Sequence, residues 1–139
     1  MRGESSKPIQ IYQIQVTLRG SRPPIWRRIQ VKSDTTLAKL HRILQHVVGW
    51  EDAHLHQFVI QGQRYGVPDE EDMGPRKKRD ERRHKLSDVV QAEDSQFPYD
   101  YDFGDNWQHV LEVEKALPPE EPIRYPVCLA GARACPPKT

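Results

Sequence analysis

The chain has 139 residues, of which 36% are hydrophobic and 29% charged, and its formal net charge is +1. This length is enough for one compact domain with its own core. The near-neutral charge excludes a global electrostatic attraction to nucleic acid or membranes. No apolar run approaches the roughly 20 residues of a membrane-spanning helix, and no apolar signal region is visible near the N-terminus. We therefore expect a cytoplasmic protein with no membrane partner and with reduced thiols at its 2 cysteines.

The first third of the chain predicts a β-hairpin. Residues 1–8 are polar and are expected to form a disordered lead-in. Alternating apolar side chains predict a strand over 9–19, and a second strand is predicted over 25–31. The Gly-Ser-Arg-Pro-Pro stretch between them breaks the first strand and turns the chain. The two strands are expected to pair with each other.

A helix is predicted over 37–48. Its apolar residues recur with a period close to 3.6 and form one continuous stripe, which includes Leu40 and Leu44. We expect these two side chains to be buried against a sheet. Gly49 stands where a helix-terminating glycine is common. Side chains that could cap the first turn belong to Ser33, Asp34 and Thr35.

The middle of the chain combines short strands with a highly charged stretch. A third strand is predicted over 54–61 and a short one at 64–65. Residues 67–85 have almost no apolar content, being acidic first and basic afterwards. Within this charged stretch, residues 69–85 are predicted to form a mobile loop that folding does not require. Residues 86–90 are predicted to be a short turn or helix that returns to the core.

An aromatic β-hairpin is predicted over 97–113. Its first arm alternates aromatic with acidic residues, and its second arm alternates with the same period of two. The sequence Gly-Asp-Asn at 104–106 favours a turn. With that turn, the facing pairs are predicted to be Phe103 with Trp107, Tyr101 with His109, and Tyr99 with Leu111.

The order of the elements is hairpin, helix, strand, loop and hairpin. This order predicts an α+β fold in which one main helix packs on a twisted, mostly antiparallel sheet, as in a β-grasp-like roll. We expect a single domain over 9–129 that contains the charged loop at 67–85. A last short strand is predicted at 125–129, and residues 130–139 are expected to be a tail.

Several stretches together resemble the plasmid pRiA4b ORF-3-like family over about residues 9–137. They are Leu37-Ala-Lys-Leu-His41, Gly49-Trp50, His54-Leu-His-Gln-Phe58, Tyr99-Asp-Tyr-Asp-Phe-Gly-Asp-Asn-Trp-Gln-His109 and Cys128-Leu-Ala-Gly-Ala-Arg-Ala-Cys-Pro-Pro137. The resemblance implies an association with plasmids and mobile elements in bacteria and archaea, and some family members carry a resolvase or repressor label. The family also implies a further Cys-Gly-Gly and a helical tail, whereas this sequence ends in Pro-Pro-Lys-Thr.

The resolvase label can be compared with the residues present. A serine recombinase needs a nucleophilic serine in an arginine-rich pocket and a separate DNA-binding domain. No serine here stands in a recognisable nucleophile motif, and the sequence leaves no room for a second domain. We therefore do not expect strand exchange by this chain alone, and we assign no catalytic residue.

A metal site is the first alternative function considered. Residues of the types that bind zinc are His54, His56, Asp102, Asp105, His109, Cys128 and Cys135. The two cysteines are spaced more widely than in a usual zinc knuckle. The histidines could equally satisfy hydrogen bonds in the core, with the cysteines as ordinary thiols. We expect no cofactor, with zinc as the alternative. Asp100, Asp102 and Asp105 are possible acid–base groups. In the alternative interpretation, Asp102 and Asp105 fix the turn, and the side chains of Asp100 and Asp102 point to water.

Contact with nucleic acid is the second possibility. The basic residues of the charged stretch are Arg76, Lys77, Lys78, Arg79, Arg82 and Arg83. Clustered lysines and arginines are sufficient to bind phosphate groups, although the preceding acidic run could neutralise them in cis. The sequence thus predicts a non-enzymatic binding or accessory module whose partner is nucleic acid or protein. The alternative is a metal-dependent enzyme that uses the His/Asp/Cys cluster.

Overall fold

The computed structural model of the chain describes residues 8–20, 25–48, 55–68, 77–90, 95–101, 107–121 and 123–131. Its strands are β1 (Ile11–Leu18), β2 (Ile25–Lys32), β3 (His56–Ile60), β4 (Gln63–Gly66), β5 (Arg79–Asp80), β6 (Gln96–Tyr101), β7 (Trp107–Leu117) and β8 (Val127–Gly131). Its helices are α1 (Leu37–Val48) and α2 (Leu86–Val89), and a 3-10 turn spans Glu81–Arg83.

All eight of these strands form one sheet, in the order β5-β4-β3-β6-β7-β1-β2-β8. Neighbours are antiparallel except β4 and β5, which are parallel, so the sheet is mixed. The predicted α+β fold, a β-grasp-like roll, is therefore wrong, because one large sheet dominates the structure. The prediction failed because local alternation does not show long-range pairing. The charged stretch adds β5 at one edge, and β8 pairs with β2 at the other.

The two faces of the sheet differ in chemistry because side chains alternate along each strand. One face is apolar and forms the core together with α1, with Ile14, Ile29 and Leu111 fully buried. The other face carries polar rungs. Arg28 donates to Glu114 at 2.7 Å, for example, on that face.

The helix prediction is confirmed over its whole length, since α1 runs from Leu37 to Val48. Leu40 and Leu44 are buried in the core. The residue that caps α1 is Thr36, which is none of the three candidates expected. Its hydroxyl accepts a hydrogen bond from the Lys39 backbone N–H at 3.1 Å. Thr36 directly precedes the first helical residue, which is the position from which a hydroxyl reaches the N–H of the third.

Arg27 stabilises the other end of α1. The sequence places it on the apolar side of β2, and it is indeed buried. Its Nε donates to the carbonyl of Val47 at 3.2 Å, which satisfies one of the carbonyls that the end of a helix leaves open. Burial lowers the pKa of the Arg27 guanidinium.

The aromatic hairpin forms, but its predicted register is wrong by two residues. Tyr99 faces His109 instead of Leu111, and Tyr101 faces Trp107. The connection is longer than the three residues predicted, since β6 ends at Tyr101 and β7 begins at Trp107. A shift of two keeps every side chain on its face, so the alternation of the sequence could not reveal it. Phe103 and residues 104–106 lie outside the described residues.

The charged stretch also differs from the mobile loop predicted. Over 77–85 it forms β5 and the 3-10 turn, and both Lys78 and Glu81 are buried. The carboxylate of Asp80 accepts the Arg82 backbone N–H at 3.0 Å and thereby caps the turn. Residues 69–76 lie outside the described part of the chain.

Candidate functional site

Several buried polar side chains lie together where α1, β3 and β6 meet the 3-10 turn. Polar groups are rarely buried without a structural or functional reason. His41 and His56 stack face to face, with ring centroids 3.4 Å apart and planes 8° from parallel. We call this group the histidine cluster; its members are His41, Gln45, His56, Glu81 and Tyr99, all between 0% and 7% exposed.

Hydrogen bonds hold the histidine cluster in place. His56 Nε2 lies 2.7 Å from Glu81 Oε1. This contact fixes the orientation of the His56 ring. The hydroxyl of Tyr99 lies 2.6 Å from His41 Nδ1 and accepts from Gln45 Nε2 at 2.9 Å.

A cavity of about 440 Å³ opens beside the two histidines and Glu81. Three cationic side chains line it from different elements: Arg42 on α1, Lys78 before β5, and Arg82 in the 3-10 turn. Its apolar lining includes Leu55 and Val67, which are 64% and 57% exposed.

Lys78 is placed by close packing against β4. A Cβ atom on Gly66 would meet Lys78 Cδ at 3.2 Å and the His56 carbonyl at 3.1 Å, so the absence of a side chain at Gly66 makes room for both. Lys78 also lines a second cavity of about 580 Å³, together with Lys77, Arg79 and Arg83. It therefore lies between the two cavities.

The basic residues predicted to contact nucleic acid separate into two groups. Lys77, Arg79, Arg82 and Arg83 are exposed, whereas Lys78 is buried. Arg76 lies outside the described residues. Asp80 forms an ion pair with Arg82 at 2.9 Å, and hydrogen bonds from Arg82 lower the pKa of Asp80 to about 2.

The exposed cations continue from the charged stretch onto α1. Lys39 and Arg42 are exposed on the helix, and Arg42 borders the 440 Å³ cavity together with Arg82. The set that we call the basic surface consists of Lys39, Arg42, Lys77, Arg79, Arg82 and Arg83.

The residues predicted as zinc ligands are not brought together among those described. His56 is bonded to Glu81, whereas His109 lies on β7, where its Nδ1 is 3.4 Å from the carbonyl oxygen of Tyr99. Within residues 8–131, excluding the gaps given above, no group of three His, Cys, Asp or Glu side chains could hold a metal ion. The other predicted ligands, which the structure does not describe, are His54, Asp102, Asp105 and Cys135.

Cys128 corrects the expectation of reduced thiols, because it is disulfide-bonded. A sulfur in a disulfide is not a thiolate and cannot bind zinc as one. The expectation rested on the small number of cysteines and the assumed compartment, and neither of these reports on whether two sulfurs meet in the fold.

Asp100 is the one described member of the predicted acid–base trio. It is buried on β6, and its Oδ2 accepts from Gln57 Nε2 at 3.1 Å. Its Oδ1 has no hydrogen-bond partner among the described residues. Asp102 and Asp105 lie outside them, so whether the three carboxylates group together stays a prediction.

Comparison with known proteins identifies the family. The family described as plasmid pRiA4b ORF-3-like protein matches residues 10–139. The chain belongs to this family. It is 35% identical over 130 residues to "Uncharacterized protein y4hQ" of Sinorhizobium fredii (strain NBRC 101917 / NGR234), and the match covers 92% of the chain and 65% of that protein.

A solved structure supports the same relationship. The crystal structure of the protein of unknown function MM3350 from Methanosarcina mazei Go1 is similar with a TM-score of 0.78 and 38% sequence identity. The similarity covers 90% of this chain and 71% of that one. Among the described residues of this pRiA4b ORF-3-like chain, no helix is long and apolar enough to cross a bilayer.

The sequence interpretation missed three members of the histidine cluster. His41 and Gln45 lie four residues apart beside the apolar stripe of α1, a spacing that places them on one side of a helix. That spacing could have indicated that the two polar side chains lie together. Glu81 had no such signal, because it lies within a run of charged residues and its burial beside His56 is seen only in the fold.

Proposed function

We propose that this pRiA4b ORF-3-like chain is a non-enzymatic binding module, associated with plasmids and mobile elements, that contacts the phosphate backbone of nucleic acid through the basic surface. The observation that carries the proposal is the continuity of exposed cations from β5 and the 3-10 turn onto α1, across the cavity that Arg42 and Arg82 share. Clustered lysines and arginines bind phosphates with little further requirement.

The charge balance of this surface favours an anionic partner. Lys39, Arg42, Lys77 and Arg79 form no ion pair with the described residues. Asp80 neutralises part of the charge of Arg82 and also lies 3.9 Å from Arg83. The net charge of the whole chain is only +1, so attraction must come from this local set. Binding should therefore be weak, dependent on salt and tolerant of sequence.

The experiment is an affinity measurement on a short DNA duplex and a single strand across a salt series. For the duplex, removing one cation that neutralises a phosphate should flatten the dependence of log K on log salt by about 0.9. We expect the triple variant Lys77→Glu, Arg79→Glu and Arg83→Glu to lose most binding and to show the flatter slope. Lys78 is left unchanged because it is buried.

A matched control reverses three exposed cations that do not belong to the basic surface: Arg19→Glu, Lys115→Glu and Arg124→Glu. This variant changes the total charge by the same amount, so it separates a local contact from net charge. The proposal fails if the wild type binds neither nucleic acid at low salt. It also fails if the two triple variants lose binding equally.

A further inference from the structure

We propose that the 440 Å³ cavity beside the histidine cluster is a binding site for one nucleotide-sized organic phosphate. The site shares Arg42 and Arg82 with the basic surface, and it adds the buried Lys78 and the histidine cluster, which the proposed backbone contact does not use. It combines fixed polar groups, cations from three elements and an apolar mouth, which together define the chemistry of the ligand.

The polar floor of the cavity is pre-organised. Glu81 fixes the His56 ring through Nε2 at 2.7 Å, and the stack with His41 at 3.4 Å holds the ring plane. The neighbouring ring is itself fixed by Tyr99. A ligand that contacts the His56 ring therefore finds an imidazole whose orientation is already set, and little ordering has to accompany binding.

The cations indicate a phosphate. Arg42, Lys78 and Arg82 line the cavity from α1, the segment before β5 and the 3-10 turn. Arginine presents a planar set of donors that matches phosphate oxygens, and lysine adds a compact charge. A phosphate monoester carries a charge of about −1.5 to −2 at pH 7. Arg42 and Lys78 supply the positive charge for it, whereas Arg82 shares its charge with Asp80, and Glu81 of the lining is held by His56.

The apolar part of the cavity indicates that the phosphate carries an organic group. Leu55 and Val67 are 64% and 57% exposed, and both border this cavity beside Ala38. A bare inorganic ion would leave these side chains in water. A ligand with a flat apolar portion would cover them and gain from the area removed from water. A nucleotide supplies both parts, either as a free mononucleotide or as the terminal nucleotide of a strand.

The test is calorimetric titration of the full chain with adenosine monophosphate, adenosine and inorganic phosphate. We expect the mononucleotide to bind most tightly, because adenosine lacks the charge and inorganic phosphate lacks the apolar body. The variants Arg42→Gln and Lys78→Met should each weaken binding of the mononucleotide about tenfold or more, as expected for loss of a charged hydrogen bond. The controls Arg124→Gln and Lys115→Met should bind like the wild type.

Two further measurements separate the outcomes. Competition between the mononucleotide and a 5′-phosphorylated oligonucleotide would identify the end of a strand as the source of the ligand, and its absence would identify the free nucleotide. The triple variant Lys77→Glu, Arg79→Glu and Arg83→Glu should keep the cavity site, since none of these residues lines it. Equal binding of adenosine and the mononucleotide would overturn the proposal. Affinity unchanged by Arg42→Gln, a substitution at an exposed position, would also overturn it.

Discussion

His109 illustrates how the interior of this sheet controls the charge of a side chain. It lies on β7 opposite Tyr99 and is 1% exposed. Burial lowers its pKa from the ordinary 6.5 to about 4, although the Tyr99 carbonyl and the charge of Asp100 act in the opposite direction. The ring is therefore neutral in the folded protein at pH values where it is protonated in the unfolded chain.

This difference makes stability depend on pH. Between about pH 6.5 and pH 4 the unfolded chain binds a proton at His109 and the folded chain does not, so acid favours unfolding. The free energy of unfolding should fall by about 3 kcal/mol over this range from His109 alone, at about 1.4 kcal/mol for each pH unit of separation. Denaturant melts at several pH values measure it.

The matched variant is His109→Leu, which replaces the titratable ring with an apolar side chain of similar bulk. Carboxylates also lose favourable interactions in acid, so the steepness of the wild-type profile alone is not decisive. The variant profile should be flatter than that of the wild type between pH 6.5 and pH 4. An equally steep variant profile would show that His109 is not the group responsible.

At the level of single elements, the 3-10 turn shows that a charged sequence can be part of the core. Glu81 lies between the half-buried Asp80 and the exposed Arg82, but it is 5% exposed and bonded to His56. The backbone of the following residues supports α1, since His84 accepts the Leu37 N–H at 2.9 Å. The turn is therefore packed into the structure, and we expect folding to depend on it.

Glu81→Ala should destabilise the fold. Removal of one partner of a buried hydrogen bond leaves the other without compensation and costs about 1–3 kcal/mol. Thermal and denaturant melts measure the loss. Glu121→Ala, at an exposed position, should change stability by no more than about 0.5 kcal/mol. Equal stability of the two variants would show that 81–83 is as dispensable as its composition predicts.

The elements were predictable from sequence where local periodicity decides the structure. The stripe of α1 and the alternation of β1 and β2 identified both the elements and their buried sides. Pairing between distant segments was not predictable in this way. The register of β6 and β7 depends on the length of their connection, and the position of β5 beside β4 depends on two residue pairs that meet only in the fold.

For the candidate site, the sequence identified the residue types but not which of them meet. His56 was recognised as a ligand type, yet its partner Glu81 is 25 residues away and was hidden in a charge run. Lys78 could not be distinguished from its exposed neighbours, because nothing in the local sequence indicates which lysine of a charged run is buried. Only the approach of β4 and the 3-10 turn separates it from them.

At the level of the whole molecule, the apolar core and the polar rungs lie on different sides of the sheet. The apolar face packs on α1, and the opposite face is covered by polar rungs such as Arg28 with Glu114. The basic surface lies on neither face, since it runs from the β5 edge across the 3-10 turn to the exposed side of α1.

The measurement that tests the proposed function most directly is a map of backbone amide shifts in NMR spectra during titration with a short DNA duplex at low salt. The account predicts that the amides of Arg79–Asp80 and Glu81–Arg83 shift together with those around Lys39 and Arg42, and that added salt reverses the shifts. Shifts centred on the polar face around Arg28 and Glu114, or no shifts at low salt, would contradict it.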